Sequence, residues 1–378
     1  MMDFGCVFFA TPDAWKDART AERLGFTHAW LYDSQMLASE VYAALALCAA
    51  NTRRIVIGPG VTNPLSRIAP VTACGVATIN RLAPGRVVLG IGTGNTARRT
   101  LGMPAARVEQ MRDHIEVCRG LLSGKTVPYQ EGERRRMIRF LNPSAGYINI
   151  RNKVPIYVAA SGPRSLEMAG EVADGVILFG AVSPSLIGFV MDRVRAGAER
   201  AGRKFSSIYT LCMTAFHITR PGQKLESTEV RRAVGPFVAS SSNIFALASP
   251  DKDALPADLR DDIRAFANAY RVEQEPPETR HLTLYSGYLR GFRKEHEALV
   301  TERMIRATTL TGTREEIVEA ILAMERAGVR QVAIQPVVDN QRTLDTFSRE
   351  IMKNLRRAPA RRSKPVRARR LPARQLRA

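Results

Sequence analysis

Short apolar runs alternate with stretches whose apolar positions recur at helical spacing, and this rhythm repeats along most of the chain. The runs at 4–9, 28–32, 54–57, 86–91, 155–159, 175–179, 208–218 and 329–335 are rich in β-branched and aromatic residues and predict eight strands. Helices are predicted between them, beginning with one that Thr11 caps, Pro12 opens and Gly25 stops. Thr313-Arg314-Glu315-Glu316 reads as a capping box opening a later helix that Gly328 ends. Strands apolar on both faces belong in a parallel sheet covered by helices. Early strand starts lie roughly 25–30 residues apart, as βα units require. The pattern therefore predicts an α/β fold, a (β/α)8 TIM barrel, with an open doubly wound sheet as the other topology.

Two gaps break the rhythm. The first, 94–155, holds one helix over 105–122 and a polar stretch at 125–153. The second, 218–329, exceeds a hundred residues and is mostly helical and polar. A connection that long inside a barrel is usually functional. Its part at about 219–305 reads as a large, mainly helical insertion before the last strand, covering the active-site end. The predicted organisation is one barrel domain over 1–355 and a disordered basic tail over 356–378.

Composition changes this picture only in its charge. The 378 residues carry 56 Lys and Arg against 36 Asp and Glu, a formal net charge of +20. Such an excess ordinarily points to nucleic acid. Ten of those cations, and no acid, fall in 356–378, so the remaining 46 exceed the acids by +10. Half the excess thus belongs to a Pro-containing tail outside the fold. Cys6, Cys48, Cys74, Cys118 and Cys212 are scattered and never form a C-x-x-C pair; four lie in apolar runs and read as buried thiols of a reducing compartment. No apolar run approaches 18 residues and the N-terminus lacks a signal-peptide pattern, so a soluble cytoplasmic protein without membrane association is expected.

In a barrel the chemistry sits at the C-terminal ends of the strands. Strand two ends in Asp33-Ser34-Gln35, strand three in Gly58-Pro59-Gly60-Val61-Thr62-Asn63, strand four in Gly90-Ile91-Gly92-Thr93-Gly94-Asn95, and strand five in Ala159-Ala160-Ser161-Gly162-Pro163-Arg164. Glycines allow close backbone approach to a ligand, and successive N–H groups cradle anions. Gly162-Pro163-Arg164 also opens a helix, whose free N–H groups suit a phosphate. One such loop is ordinary turn chemistry; several at one barrel end point to a phosphorylated cofactor. Two familiar phosphate motifs fail. Gly90-x-Gly92-x-Gly94 lacks the last Gly of G-x-G-x-x-G, and Gly124-Lys125-Thr126 follows a helix rather than a strand, with Arg119 where a P-loop needs Gly.

Together, Ile57-Gly-Pro-Gly-Val-Thr-Asn-Pro64, Leu89-Gly-Ile-Gly-Thr-Gly94, and Val154-Pro-Ile-Tyr-Val-Ala-Ala-Ser-Gly-Pro163 with Glu171-Val-Ala-Asp-Gly175 resemble the bacterial luciferase-like superfamily. The likeness is to its coenzyme F420-dependent methylenetetrahydromethanopterin reductase branch. It extends over about 1–180 and the terminal 312–335 unit, while about 185–300 has no match. The resemblance implies a (β/α)8 barrel holding coenzyme F420 or FMN at the strand ends, and a flavin-type oxidoreductase. That enzyme would transfer hydride to or from a small organic substrate, or act as a monooxygenase if reduced FMN and O2 are used.

The same resemblance implies the site. Asp33 falls on the strand-two acid that F420 enzymes place near the deazaflavin, and Ser34 stands where many relatives have His, which removes imidazole catalysis there. Asp33 and Ser34 are the candidate catalytic residues. Cofactor contacts fall, besides Asp33, on Gly60, Val61, Thr62 and Asn63, on Gly92, Thr93, Gly94 and Asn95, and on Ala160, Ser161, Gly162, Pro163 and Arg164. Gly60–Val61 lies where the family often has a non-prolyl cis peptide. Asp33 has a second reading as a cap or the partner of an Arg. A homo-oligomer is also implied.

His28, His114, His217, His281 and His296 include no i, i+4 pair, so no metal site is indicated; His217 alone is placed to reach the pocket. Tyr285 and Tyr288, with Arg290 and Arg293, either line a substrate mouth or face solvent. Two rivals stand beside the enzyme: a nucleic-acid-associated protein acting through the basic tail, which has no aromatic residue for stacking, and a barrel that binds flavin without turnover.

Overall fold

The computed structural model describes residues 2–248, 255–269, 275–291 and 294–357. Of the tail predicted over 356–378, Arg356 and Arg357 instead belong to helix Lys353–Arg357, while 358–378 and Arg293 lie outside the described residues. Eleven strands are described in chain order: β1 Asp3–Phe9, β2 His28–Tyr32, β3 Val56–Pro59, β4 Leu89–Ile91, β5 Val127–Glu131, β6 Arg134–Ile138, β7 Ile156–Ala159, β8 Gly175–Phe179, β9 Tyr209–Ile218, β10 Leu310–Gly312 and β11 Gln331–Gln335. Eight of them pair in parallel in the order β3-β2-β1-β11-β9-β8-β7-β4. Bridges Ile57 to Val87 and Thr62 to Ile91 join the two ends, so the sheet closes into the (β/α)8 barrel.

At this seam the backbones approach closely. A Cβ on Gly58 would lie 2.2 Å from the Val88 carbonyl oxygen, and one on Gly90 2.1 Å from that of Pro59. These two glycines therefore serve strand-on-strand contact rather than a ligand.

The strand pattern splits two cores. Val7, Trp30, Tyr157, Ile177, Leu211 and Met213 fill the barrel, while their neighbours Cys6, Leu31, Val158, Val176, Leu178 and Cys212 pack outward against the helices. Burial on both faces is why these strands read as continuous apolar runs. Inside, Trp30 Nε1 donates to Gln331 Oε1 at 3.1 Å and the Tyr32 hydroxyl bonds Gln335. Cys6, Cys48, Cys118 and Cys212 are buried free thiols; Cys74 is exposed.

Several local expectations shift. The first helix is Ala14–Leu24 with Asp13 at its N-cap, so Thr11 and Pro12 precede it; Gly25 ends it at φ 90°. The capping box forms as read: Thr313 Oγ1 accepts from Glu316 N at 3.3 Å and Glu316 Oε2 from Thr313 N at 2.7 Å. The polar 125–153 stretch contains the antiparallel β5–β6 hairpin, which strand periodicity missed because most of its residues are exposed and only Val127 is buried. β10, three residues long and paired on β9, was also below that signal. Between β9 and β10 the described chain holds the helices Thr228–Ala248, Ala257–Ala269 and Glu302–Thr308, with shorter helices, turns and coil around them. Among the described residues no helix is long and apolar enough to cross a membrane.

Candidate active site at the strand ends

A cavity of about 280 Å3 opens at the C-terminal ends of the barrel strands. Its floor is apolar, from Phe9, Ile177, Phe179 and Met213, and Ile244, Tyr288 and Leu289 of the 219–305 segment border it. Of the residues singled out in the sequence, Asp33, Ser34, Gly60, Val61, Gly92, Thr93, Gly94, Asn95, Ala160, Ser161 and Gly162 lie in its wall. The Gly60–Val61 peptide is cis, where the resemblance placed such a bond.

Four others stand outside the wall. Thr62 is fully buried, its backbone spent on barrel closure with Gly90 and Gly92. Asn63 is fully buried as well; its Oδ1 accepts from Leu65 N and Ser66 N, both at 3.0 Å, and Nδ2 donates to Ser66 Oγ at 2.9 Å. That is an Asx turn shaping the loop after β3. Pro163 is the first residue of helix Pro163–Val172. Arg164 points to solvent and pairs with Glu109 at 2.6 Å.

Asp33 directly follows β2 and is only 4% exposed. Its Oδ2 accepts from Arg67 Nη1 at 2.6 Å, which realises the ion-pair reading while leaving the residue on the cavity edge. Burial pushes its carboxyl up from the ordinary value, and the guanidinium pulls against that shift. Arg67 was not legible in the sequence; its only signal is a cation in the loop facing the strand-two acid.

Anion-binding features lie on the far wall. Helix Pro163–Val172 begins at Gly162 with no side-chain cap, so its first-turn N–H groups have no partner within the helix. Arg99 borders the cavity and donates to Asn95 Oδ1 at 2.7 Å. Asn95 Nδ2 is buried without a hydrogen-bond partner. A buried donor of that kind is costly unless a ligand supplies the acceptor. The residues present therefore fit a phosphorylated, acceptor-rich cofactor.

Tyr288 is the polar group that the 219–305 segment contributes to the cavity wall. Thr96 Oγ1 donates to its hydroxyl at 3.2 Å and Ser240 Oγ donates as well. Burial raises the phenol above its ordinary value and these two hydroxyls pull it back. Tyr285 packs on it, ring centroids 5.5 Å apart, and Arg290 stacks over Phe9 at 4.9 Å. His217, the one histidine placed where it could reach the pocket, does not border it. It borders a separate cavity with Glu229, Arg232 and Asp339, because the last residues of β9 run past the barrel rim to pair with β10.

Comparison with known proteins agrees with this geometry. The luciferase-like monooxygenase family model matches residues 12–331. The chain is 30% identical to the 5,10-methylenetetrahydromethanopterin reductase of Methanolobus tindarius, over 93% of this chain and 100% of that protein. It is 29% identical to the enzyme of the same name from Archaeoglobus fulgidus, over 89% and 94%. The structure of the coenzyme F420-dependent tetrahydromethanopterin reductase from Methanopyrus kandleri superposes with a TM-score of 0.67 at 22% identity, covering 94% of this chain and 99% of that one, which shows the shared fold. With the barrel, the strand-end cavity and a family match over most of its length, the chain belongs to the luciferase-like monooxygenase family of oxidoreductases.

Proposed function

We propose that the protein is a coenzyme F420-dependent oxidoreductase that passes hydride between the deazaflavin and a small organic substrate. The observation that carries this reading is the strand-end cavity, where the partnerless Asn95 Nδ2, the uncapped helix at Gly162 and the buried Asp33 carboxylate surround one space. The choice of F420 over FMN is supported by relatives of F420-reductase type that match nearly end to end.

When bound, the deazaflavin supplies a two-electron hydride carrier. In this proposal Gly60 and Val61 back the ring, and Gly92, Thr93, Gly94, Asn95, Ala160, Ser161 and Gly162 hold the anionic chain. Asp33 accepts a hydrogen bond at the ring edge, and Ser34 adds a neutral one. Tyr288 already accepts two hydrogen bonds, so its own proton is free to be shared with a substrate oxygen or nitrogen. Ile244 and Leu289 exclude water above the cofactor.

The proposal includes a cytoplasmic homo-oligomer. Helix Val41–Asn51 carries no charged residue and exposes Leu47, while helix Ala69–Leu82 exposes Val71 and Leu82, an apolar face for a second copy to cover.

A second reading, monooxygenation with reduced FMN, has the family model's own description in its favour. An anaerobic assay separates them. Reduced F420 mixed with a panel of ketones, aldehydes and imines is expected to be oxidised without O2. Product formation that demands O2 and FMN would replace the hydride-transfer reading with the second.

A further inference from the structure

We propose that Arg67 is a positioning residue of this site, fixing the Asp33 carboxylate at the cavity edge in its charged form. This rests on the reading of Asp33 as a cofactor contact.

A carboxylate as buried as Asp33, left alone, takes up a proton rather than stay charged. Arg67 faces it with a guanidinium held on three sides. Nη1 donates to Asp33 Oδ2 at 2.6 Å, Nη2 bonds Glu40 Oε1, and the group lies 4.8 Å from the Tyr42 ring centroid. Glu40 is fixed in turn, because its Oε2 accepts from Ala43 N at 2.7 Å as the N-cap of helix Val41–Asn51. A planar fork between two carboxylates sets direction as well as charge, which an ammonium does not.

The backbone also delivers Arg67 to this place. The Asx turn at Asn63 folds the loop after β3, so a residue the sequence marked for the cofactor instead shapes the segment that carries the cation. Arg67 is absent from the cavity wall and acts through Asp33. The groups facing Asp33 are Arg67, Glu40 and Thr62, with Tyr42 beside them and Cys118 behind Tyr42. Arg67 supplies the positive charge in this set.

The test is titration of the full chain with F420, by quenching of the cofactor's fluorescence, between about pH 5 and pH 9. Wild type is expected to hold its affinity to a lower pH than Arg67→Gln, because the guanidinium opposes the upward push of burial on Asp33. Arg67→Gln is expected to lose affinity by about tenfold or more as the pH falls, because Asp33 then protonates within the range. The double variant Asp33→Asn with Arg67→Gln is expected to bind weakly but without that pH step. Arg67→Lys keeps the charge and loses the fork; it is expected to give a flat profile at reduced affinity, and it carries the test should Arg67→Gln fail to fold. A flat profile in Arg67→Gln, a step that persists in the double variant, or wild-type affinity in Arg67→Lys overturns the proposal alone. Wild type that binds no F420 at any pH overturns it together with the proposed function.

Discussion

Tyr288 shows how one residue's function is set by the bonds it receives. A phenol that accepts from Ser240 and Thr96 keeps its proton available, and the cavity lies against it. Tyr288→Phe removes that proton while keeping the ring against Tyr285. It is expected to slow turnover by about a hundredfold, the usual scale for a positioned acid or base. Affinity for F420 should change little, because Tyr288 is not among the residues assigned to the cofactor and its ring stays in place. Turnover and F420 titration measured on the same variant check both halves. Residues on strand ends, such as Asp33 and Asn95, were legible because their position follows from the strand pattern. Arg67 was not, since its role depends on a contact across 34 positions. Arg164 and His217 belong to segments near the strand ends, but their side chains lie away from the cavity. Helix Pro163–Val172 turns Arg164 outward to Glu109, and β9 carries His217 beyond the rim.

At the scale of elements, the cavity depends on how closely two helices pack. A Cβ on Gly197 would lie 1.9 Å from the Glu167 carbonyl oxygen, and one on Gly170 2.1 Å from that of Val194. Helices Pro163–Val172 and Pro184–Arg200 therefore meet backbone to backbone. Gly197→Ala must push them apart, and the first of them starts at the cavity wall. Chemical denaturation is expected to show a loss of about 1–3 kcal/mol, with weaker F420 binding. Gly188→Ala, in the same helix with open space at its Cβ, is the control. It should be neutral or stabilising by up to about 1 kcal/mol, since alanine is the better helix former. Barrel strands were readable from sequence because burial on both faces makes them uniformly apolar. The β5–β6 hairpin was not, because Arg134, Arg135 and Arg136 form a strand with no buried face to leave a pattern.

For the whole molecule, charge describes little of the site. The formal +20 divides between the terminal stretch and the rest, and the cavity wall itself contains one cation, Arg99, and one acid, Asp33. The excess on the folded part is spread over surfaces such as the hairpin, so it does not mark the pocket by itself. The barrel topology was legible from eight apolar runs and their spacing. Tyr288 was legible only as a choice between substrate mouth and solvent, because it belongs to the segment where spacing and resemblance both give out, and it borders the cavity. What joins these scales is one claim: the strand-end cavity is a deazaflavin site. The most direct test is parallel titration of the wild-type chain with F420 and with FMN under identical buffer and salt. Saturable F420 binding at least about tenfold tighter than FMN, a difference of roughly 1.4 kcal/mol, is the expected result. FMN binding the tighter of the two, or neither ligand binding, would contradict it.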